Sequence, residues 1–183
     1  MAGVGGDRTA LVVVVDDAEP VAGAFRRRHL RETVGRGLPL HITVLFPFVP
    51  LALVDEEVLR LATASFAAVP AFEASLTAVG AFERHVWLAP EPDERFQALI
   101  AAARAAFPAY PLYGDPSHDP VPHATIGEAD DATALARAAE QELGPGLPVA
   151  FAVSAVTMLT EGEEGLWRRH ATFALGPPHD SGC

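Results

Sequence analysis

The sequence predicts a duplicated α+β fold, in which a motif strand, a helix and an antiparallel β-hairpin occur twice around a central cleft. Three observations carry this. The stretches "HITV" at 41–44 and "HATI" at 123–126 share one frame, 82 positions apart. Each is followed by a helical pattern and then by a β-rich segment opening on phenylalanine: Phe72 lies 31 residues after His41 and Phe151 lies 28 after His123. Each of these segments carries a tryptophan in its second strand, Trp87 and Trp167. A unit duplicated about a pseudo-twofold brings equivalent strands together and points both motif histidines at one cleft.

The elements follow from local chemistry. Thr9–Val15 is a β-branched run and reads as a strand. The next stretch has acidic residues and Pro20 early and arginines late, the polarity of a helix over about residues 18–32. Within it "RRRHLR" at 26–31 spreads its charges around the axis and reads as a solvated face. "GRGLP" breaks the helix, and Leu40–Phe46 is the first motif strand. Phe46 and Phe48 beyond it are expected to pack in the core. Asp55 caps a helix through about Ala68, with Val58, Leu59, Leu61 and Phe66 as its apolar face. Phe72–Val79 and Val86–Ala89 form an antiparallel pair, and a helix spans about Asp93–Ala106. Residues 107–121, rich in Pro, Gly and Tyr, form a loop of a length usually functional or mobile. Val121–Ile126 is the second motif strand and Asp131–Leu143 a helix. Val149–Leu159 and Leu166–Leu175 pair around "TEGEEG".

Composition bounds the function. The chain of 183 residues is half hydrophobic and 20% charged, which suits a single globular domain over 1–183 rather than a disordered chain. The longest aliphatic run, Ala10–Val15, is far short of the roughly 20 residues that span a bilayer. With no small-residue cleavage site, neither membrane association nor a signal peptide is expected. The one cysteine, Cys183, permits no internal disulfide, and a cytoplasmic location is expected. No Cys/His ligand set occurs, so no metal and no cofactor are expected. The net charge of −11 repels long duplex nucleic acid but allows a small phosphorylated ligand in a cleft. A monomer is expected.

In a strand, the His and Thr of His-x-Thr-x are i and i+2 and share one face, while Ile42, Val44, Ala124 and Ile126 turn to the core. Two such faces supply two imidazoles, able to take and give a proton near neutral pH, and two hydroxyls able to bond anionic oxygens. A phosphodiester fits between them: one histidine activates the attacking oxygen, the other protonates the leaving oxygen, and the threonines hold the non-bridging oxygens.

"LPLHITVLFPF" with "VPHATIG" resembles the paired signature of the 2H phosphoesterase superfamily, which includes the bacterial 2′-5′ RNA ligase and RNA 2′,3′-cyclic phosphodiesterase families. The likeness runs from the first strand to about residue 175. It implies a two-lobed α+β fold with an antiparallel sheet and helices in each lobe, motif strands at 40–46 and 121–126, and a cleft between. It implies metal-independent phosphodiesterase action on a 2′,3′-cyclic phosphate or a 2′-5′-linked nucleotide or RNA end. His41 and His123 would be the catalytic acid/base pair, and Thr43 and Thr125 the phosphate ligands. Many RNA-acting members carry a basic residue after the second motif; here Gly127, Glu128, Asp130 and Asp131 stand there. Arg36, Arg168 and Arg169 are the nearest substitutes. Tyr113 and His118, in the long loop, and Arg168 are candidate substrate contacts; Tyr110 could equally stack on a base or pin the loop. His85 and His170 read as exposed strand residues, while His29 in the basic helix and His179 in the tail have no partner in sequence. A module that binds a phosphorylated metabolite or RNA end without turnover, and 2′-5′ RNA ligation, are the alternatives.

Overall fold

A computed structural model describes residues 7–178. His179, Cys183 and the glycine-rich residues 1–6 lie outside the described residues. The chain forms β1 (Thr9–Val14), α1 (Glu19–His29), α2 (Arg31–Gly35), β2 (His41–Leu45), α3 (Glu56–Ala67), β3 (Phe72–Phe82), β4 (His85–Glu91), α4 (Asp93–Ala106), β5 (Ala124–Glu128), α5 (Ala132–Leu143), β6 (Val149–Val153), β7 (Ala155–Glu161) and β8 (Trp167–Ala174). Asp55 and Asp131 are N-caps of α3 and α5: their carboxylates accept from the amides of Val58 and Ala134, each at 2.9 Å. These bonds satisfy amides that have no partner inside the helix.

The strands form one antiparallel sheet in the order β6-β3-β4-β5-β2-β1-β7-β8, so the α+β architecture is as expected. The halves of that sheet do not follow the sequence repeat. The hairpin β3–β4, which follows the first motif, pairs with β5, which carries the second. The hairpin β7–β8, which follows the second motif, pairs through β1 with β2. Each half is therefore built by both units. The two halves meet at the pair Ile42–Ala124.

The expected strand Val149–Leu159 is in fact two strands. β6 pairs with β3 on one edge, and β7 pairs with β1 and β8 at the far side of the sheet. The phase of burial shows why. Phe151 and Val153 enter the core at odd positions, Val156 and Met158 at even ones. A strand with period 2 cannot change phase without a break, and the break falls at Ser154. The helix expected over 18–32 likewise breaks into α1 and α2 at Leu30, whose backbone is not helical. The second motif strand begins at Ala124, not Val121, because Pro120 and Pro122 have no amide to give a ladder.

Helices α1, α3, α4 and α5 bury their apolar residues against one face of the sheet. α1 and α5 cover β3, β4 and β5, while α3 and α4 reach β8 and β2. A single buried cluster runs under both halves and includes Ile42, Val44, Ala124, Ile126, Phe48 and Phe66. Burying each of the larger side chains contributes about 1.5–3 kcal/mol. Phe46 sits on the opposite face, edge-on to Trp167 at 6.3 Å. With the apolar motif positions committed to the core, the alternate positions must face the other way.

Candidate active site

The pair Ile42–Ala124 sets the geometry of the site. In an antiparallel register it places His41 across from Thr125 and Thr43 across from His123. Directly opposed Cβ atoms lie about 4.5–5.5 Å apart, and diagonal neighbours about 7–8 Å. The four side chains thus mark a rectangle, with the histidines on one diagonal and the threonines on the other. Both motif strands also bulge at the same point. Leu11 and Val12 pair with Leu45 and Thr43, skipping Val44; Val86 and Trp87 pair with Gly127 and Thr125, skipping Ile126. The fourth motif residue is the extra residue in each case, which bends each strand just beyond its threonine.

The two imidazoles are held by one repeated device. His41 Nδ1 lies 2.8 Å from the carbonyl of Pro39, and His123 Nδ1 lies 2.7 Å from that of Val121, each two residues upstream. A carbonyl only accepts, so each Nδ1 carries the proton and each Nε2 is left as the free acceptor. Burial pushes the His41 pKa down to about 4; the positive charge of Arg26 and the nearby His123 add to this, and the Pro39 bond opposes it. Burial also lowers the pKa of His123, with His85 and His118 adding and the Val121 bond opposing. Burial thus favours the neutral form of both rings, and of the two only His123 lines the cavity over this face.

This depression has a consequence for stability. The unfolded chain protonates His41 near the ordinary value of 6.5, while the folded state keeps it neutral to about 4. Between those pH values the unfolded state binds more protons, so folding stability falls as pH drops through the window. The loss from His41 is at most on the order of 3 kcal/mol. The melting midpoint, followed by circular dichroism between pH 7 and pH 4, is expected to fall more steeply in the native protein than in His41→Gln. Equal slopes would show that His41 is not held neutral by the fold.

A cavity of about 740 Å³ opens over this face, lined by Thr43, Thr125 and His123 with Phe82, Glu83, His85, Tyr113, His118, Asp119 and Val121. Phe82 meets His123 edge-on at 5.0 Å, and Trp87 stands 6.0 Å from the same ring. Trp87 can lie flat on the sheet because Gly80 has no side chain; a Cβ there would come within 2.4 Å of the indole. Tyr113 has left-handed backbone at φ 54°, its amide donates to the Phe46 carbonyl at 2.6 Å, and its ring lines the cavity with Thr43. Strain of this kind in a non-glycine residue is characteristic of functional loops. His118 stands edge-on to Tyr113 at 5.2 Å.

The long loop therefore delivers Tyr113 and His118 to the cavity, while Tyr110 packs against the core instead. Arg104 and Gln97, on α4, tie the loop down through the carbonyls of His118 and Pro120, at 2.9 and 2.7 Å. Arg168 is exposed on β8 opposite Thr160 and does not line the cavity, and Arg169 pairs with Asp16 at 2.6 Å. Among the described residues, no arginine lines the cavity. Glu128 and Asp130, which follow the second motif, are both paired with Arg84 of the β3–β4 turn.

Sequence reading placed His85 in solvent and did not single out Phe82, Glu83 or Asp119. His85 shares a face with Trp87 by strand alternation, so recognising that β4 lies beside β5 would have found it.

A family model described as "2'-5' RNA ligase superfamily" matches residues 14–165. No curated protein matches the sequence. Three solved structures share the fold. One, described as a phosphoesterase, is 19% identical, with a TM-score of 0.60 over 93% of this chain and 99% of its own. TT0787 of Thermus thermophilus is 18% identical, with a TM-score of 0.63 over 94% and 100%. LigT of E. coli, solved with 3′-AMP, is 17% identical, with a TM-score of 0.57 over 93% and 98%. With the paired motifs on one face of a curled antiparallel sheet and the family match across most of its length, the chain belongs to the 2′-5′ RNA ligase superfamily, the 2H phosphoesterases.

Proposed function

We propose that the protein is a metal-independent phosphodiesterase that opens a 2′,3′-cyclic phosphate or cleaves a 2′-5′-linked nucleotide or RNA end. The crossed diagonals of the quartet carry this reading. In-line displacement at phosphorus needs a base and an acid on opposite sides of the reacting atom, with its non-bridging oxygens lying off that axis. Histidines on one diagonal and threonines on the other meet both needs. One Nε2 takes a proton from the attacking water as its oxygen bonds to phosphorus. The other histidine gives a proton to the sugar oxygen as the P–O bond breaks. From a 2′,3′-cyclic end, scission of the P–O3′ bond leaves a 2′-phosphate.

Protonation follows from the charge of the substrate. With both rings depressed in the free cleft, the negative phosphate supplies the charge that favours imidazolium on the acid. Glu83 and Asp119 at the cavity wall disfavour a doubly charged monoester relative to a singly charged diester. Phe82, Tyr113 and Val121 leave 38%, 46% and 57% of their surface exposed there, an apolar rim on which a base can stack. LigT of E. coli has been solved with 3′-AMP, ATP and NADP+, ligands of the size this cavity would take. Among the described residues, no three His, Cys, Asp or Glu side chains converge as metal ligands.

Incubation with 2′,3′-cyclic nucleotides is expected to give 2′-nucleotides at the same rate with and without EDTA, read by chromatography. The lack of a lining arginine among the described residues favours a second reading, binding without turnover. Saturable binding with no product after prolonged incubation would establish that reading and overturn the first. Ligation, as the reverse reaction, would use the same four side chains.

A further inference from the structure

We infer that Arg26 is a positioning residue of the site, which fixes the His41 ring from behind and makes the two histidines unequal. This rests on the acid/base reading proposed above. Within "RRRHLR", Arg26 is only 2% exposed, whereas Arg27 and Arg28 keep 61% and 48% of their side chains in solvent. Its buried position corrects the solvated face expected for this stretch. Its NH1 bonds Glu19 at 3.1 Å, and its NH2 reaches the carbonyls of Leu38 and Pro39 at 3.3 and 3.2 Å.

The Pro39 carbonyl is the one that accepts from His41 Nδ1–H at 2.8 Å. A guanidinium and an imidazole therefore converge on one oxygen and fill both its lone pairs. The carbonyl cannot swing away without breaking both bonds, so the ring plane and tautomer of His41 are set from behind. The corresponding carbonyl, that of Val121, holds His123 alone. Repeated machinery thus carries an added support on one side only.

The charge acts with the geometry. A guanidinium stays protonated at every working pH, even where burial lowers its pKa as it does here. Placed behind His41, it opposes a second positive charge. The charged groups acting on His41 are Arg26 from α1 and His123, just before β5; Glu19 pairs with Arg26, and Thr43 and Tyr113 line the adjoining cavity. Glu19 alone opposes Arg26 in this set. The only charged groups acting on His123 are other imidazoles, His85 and His118, so it has no permanent charge behind it.

The test is an NMR titration of the histidine rings, with and without Arg26, alongside pH–rate profiles. In Arg26→Met the His41 pKa is expected to rise by about half a unit or more, while that of His123 stays put. The pH profile of kcat/KM should shift with it, and kcat should fall about tenfold or more with little change in KM. Arg26→Lys should hold the His41 pKa low yet lose kcat, because an ammonium cannot reproduce the fork. Should Arg26→Met fail to fold, Glu19→Gln, at a partly exposed position, is expected to lower the His41 pKa further. An unmoved His41 in the folded Met variant, or in Glu19→Gln if that variant replaces it, overturns the inference, as do equal shifts at both rings. Absence of turnover in the native protein would instead refute the proposed function, while the titration still decides the role of Arg26.

Discussion

Alanine at His41, or at His123, is expected to lower kcat for cyclic-phosphate hydrolysis by about 10²–10⁴ while the fold survives. On the proposed mechanism each ring does a separate job, and neither would stand in for the other. His41 and His123 lie on a diagonal of the quartet, and the proposed mechanism puts phosphorus between them. Removing either leaves one proton transfer to water. The double variant should lose little more than the worse single variant, because residues that act as a unit are not additive. The fold is expected to tolerate the change, since neither ring belongs to the buried core, which the neighbours Ile42 and Ala124 enter instead. Each substitution gives up one bond from the ring to a carbonyl two residues away. Far-ultraviolet circular dichroism and the melting midpoint near pH 7 would therefore stay close to native. Full activity in both single variants would refute the two-histidine mechanism.

Most of the elements could be read because their signals are local. The caps Asp55 and Asp131, the breaks at Gly and Pro, and the alternation in each motif strand are fixed by residues a few positions apart. The quartet could be read for the same reason: His41 with Thr43, and His123 with Thr125, are i, i+2 pairs. Partners distant in sequence could not. Nothing local says that the hairpin after the first motif crosses to the second motif strand, yet that crossing puts Phe82, His85 and Trp87 around His123. The misread strand at Ser154 and the misread arginine at 26 are of one kind. Each has an ordinary local pattern, a β-branched run in one case and a charged helical turn in the other. Each is decided by what packs beside it. Arg26 is buried because the carbonyls of Leu38 and Pro39 arrive beneath α1, and helix periodicity carries no record of that arrival.

Valine at Thr43, or at Thr125, is expected to cut kcat by about 10²–10³ with a much smaller rise in KM. Valine keeps the β-branched shape that suits a strand and removes only the hydroxyl, so packing and register should hold. Thr43 stands across from His123, and Thr125 across from His41. Each hydroxyl thus sits beside a proton transfer, on the diagonal where non-bridging oxygens gain charge as the attacking oxygen bonds. Among the described residues, no arginine lines the cavity to share that load. On the proposed mechanism the two hydroxyls would therefore carry more of the transition-state charge than they would beside a guanidinium. Serine at either position should restore most of kcat, because it returns the donor. Tyr113→Phe should cost less than Thr43→Val, since it alters the cavity wall beside Thr43 but leaves the Thr43 hydroxyl in place. The split between kcat and KM decides the point. If the valine variants raise KM and leave kcat native, the threonines bind the ground state only, and the charge that develops on phosphorus must be met by other groups.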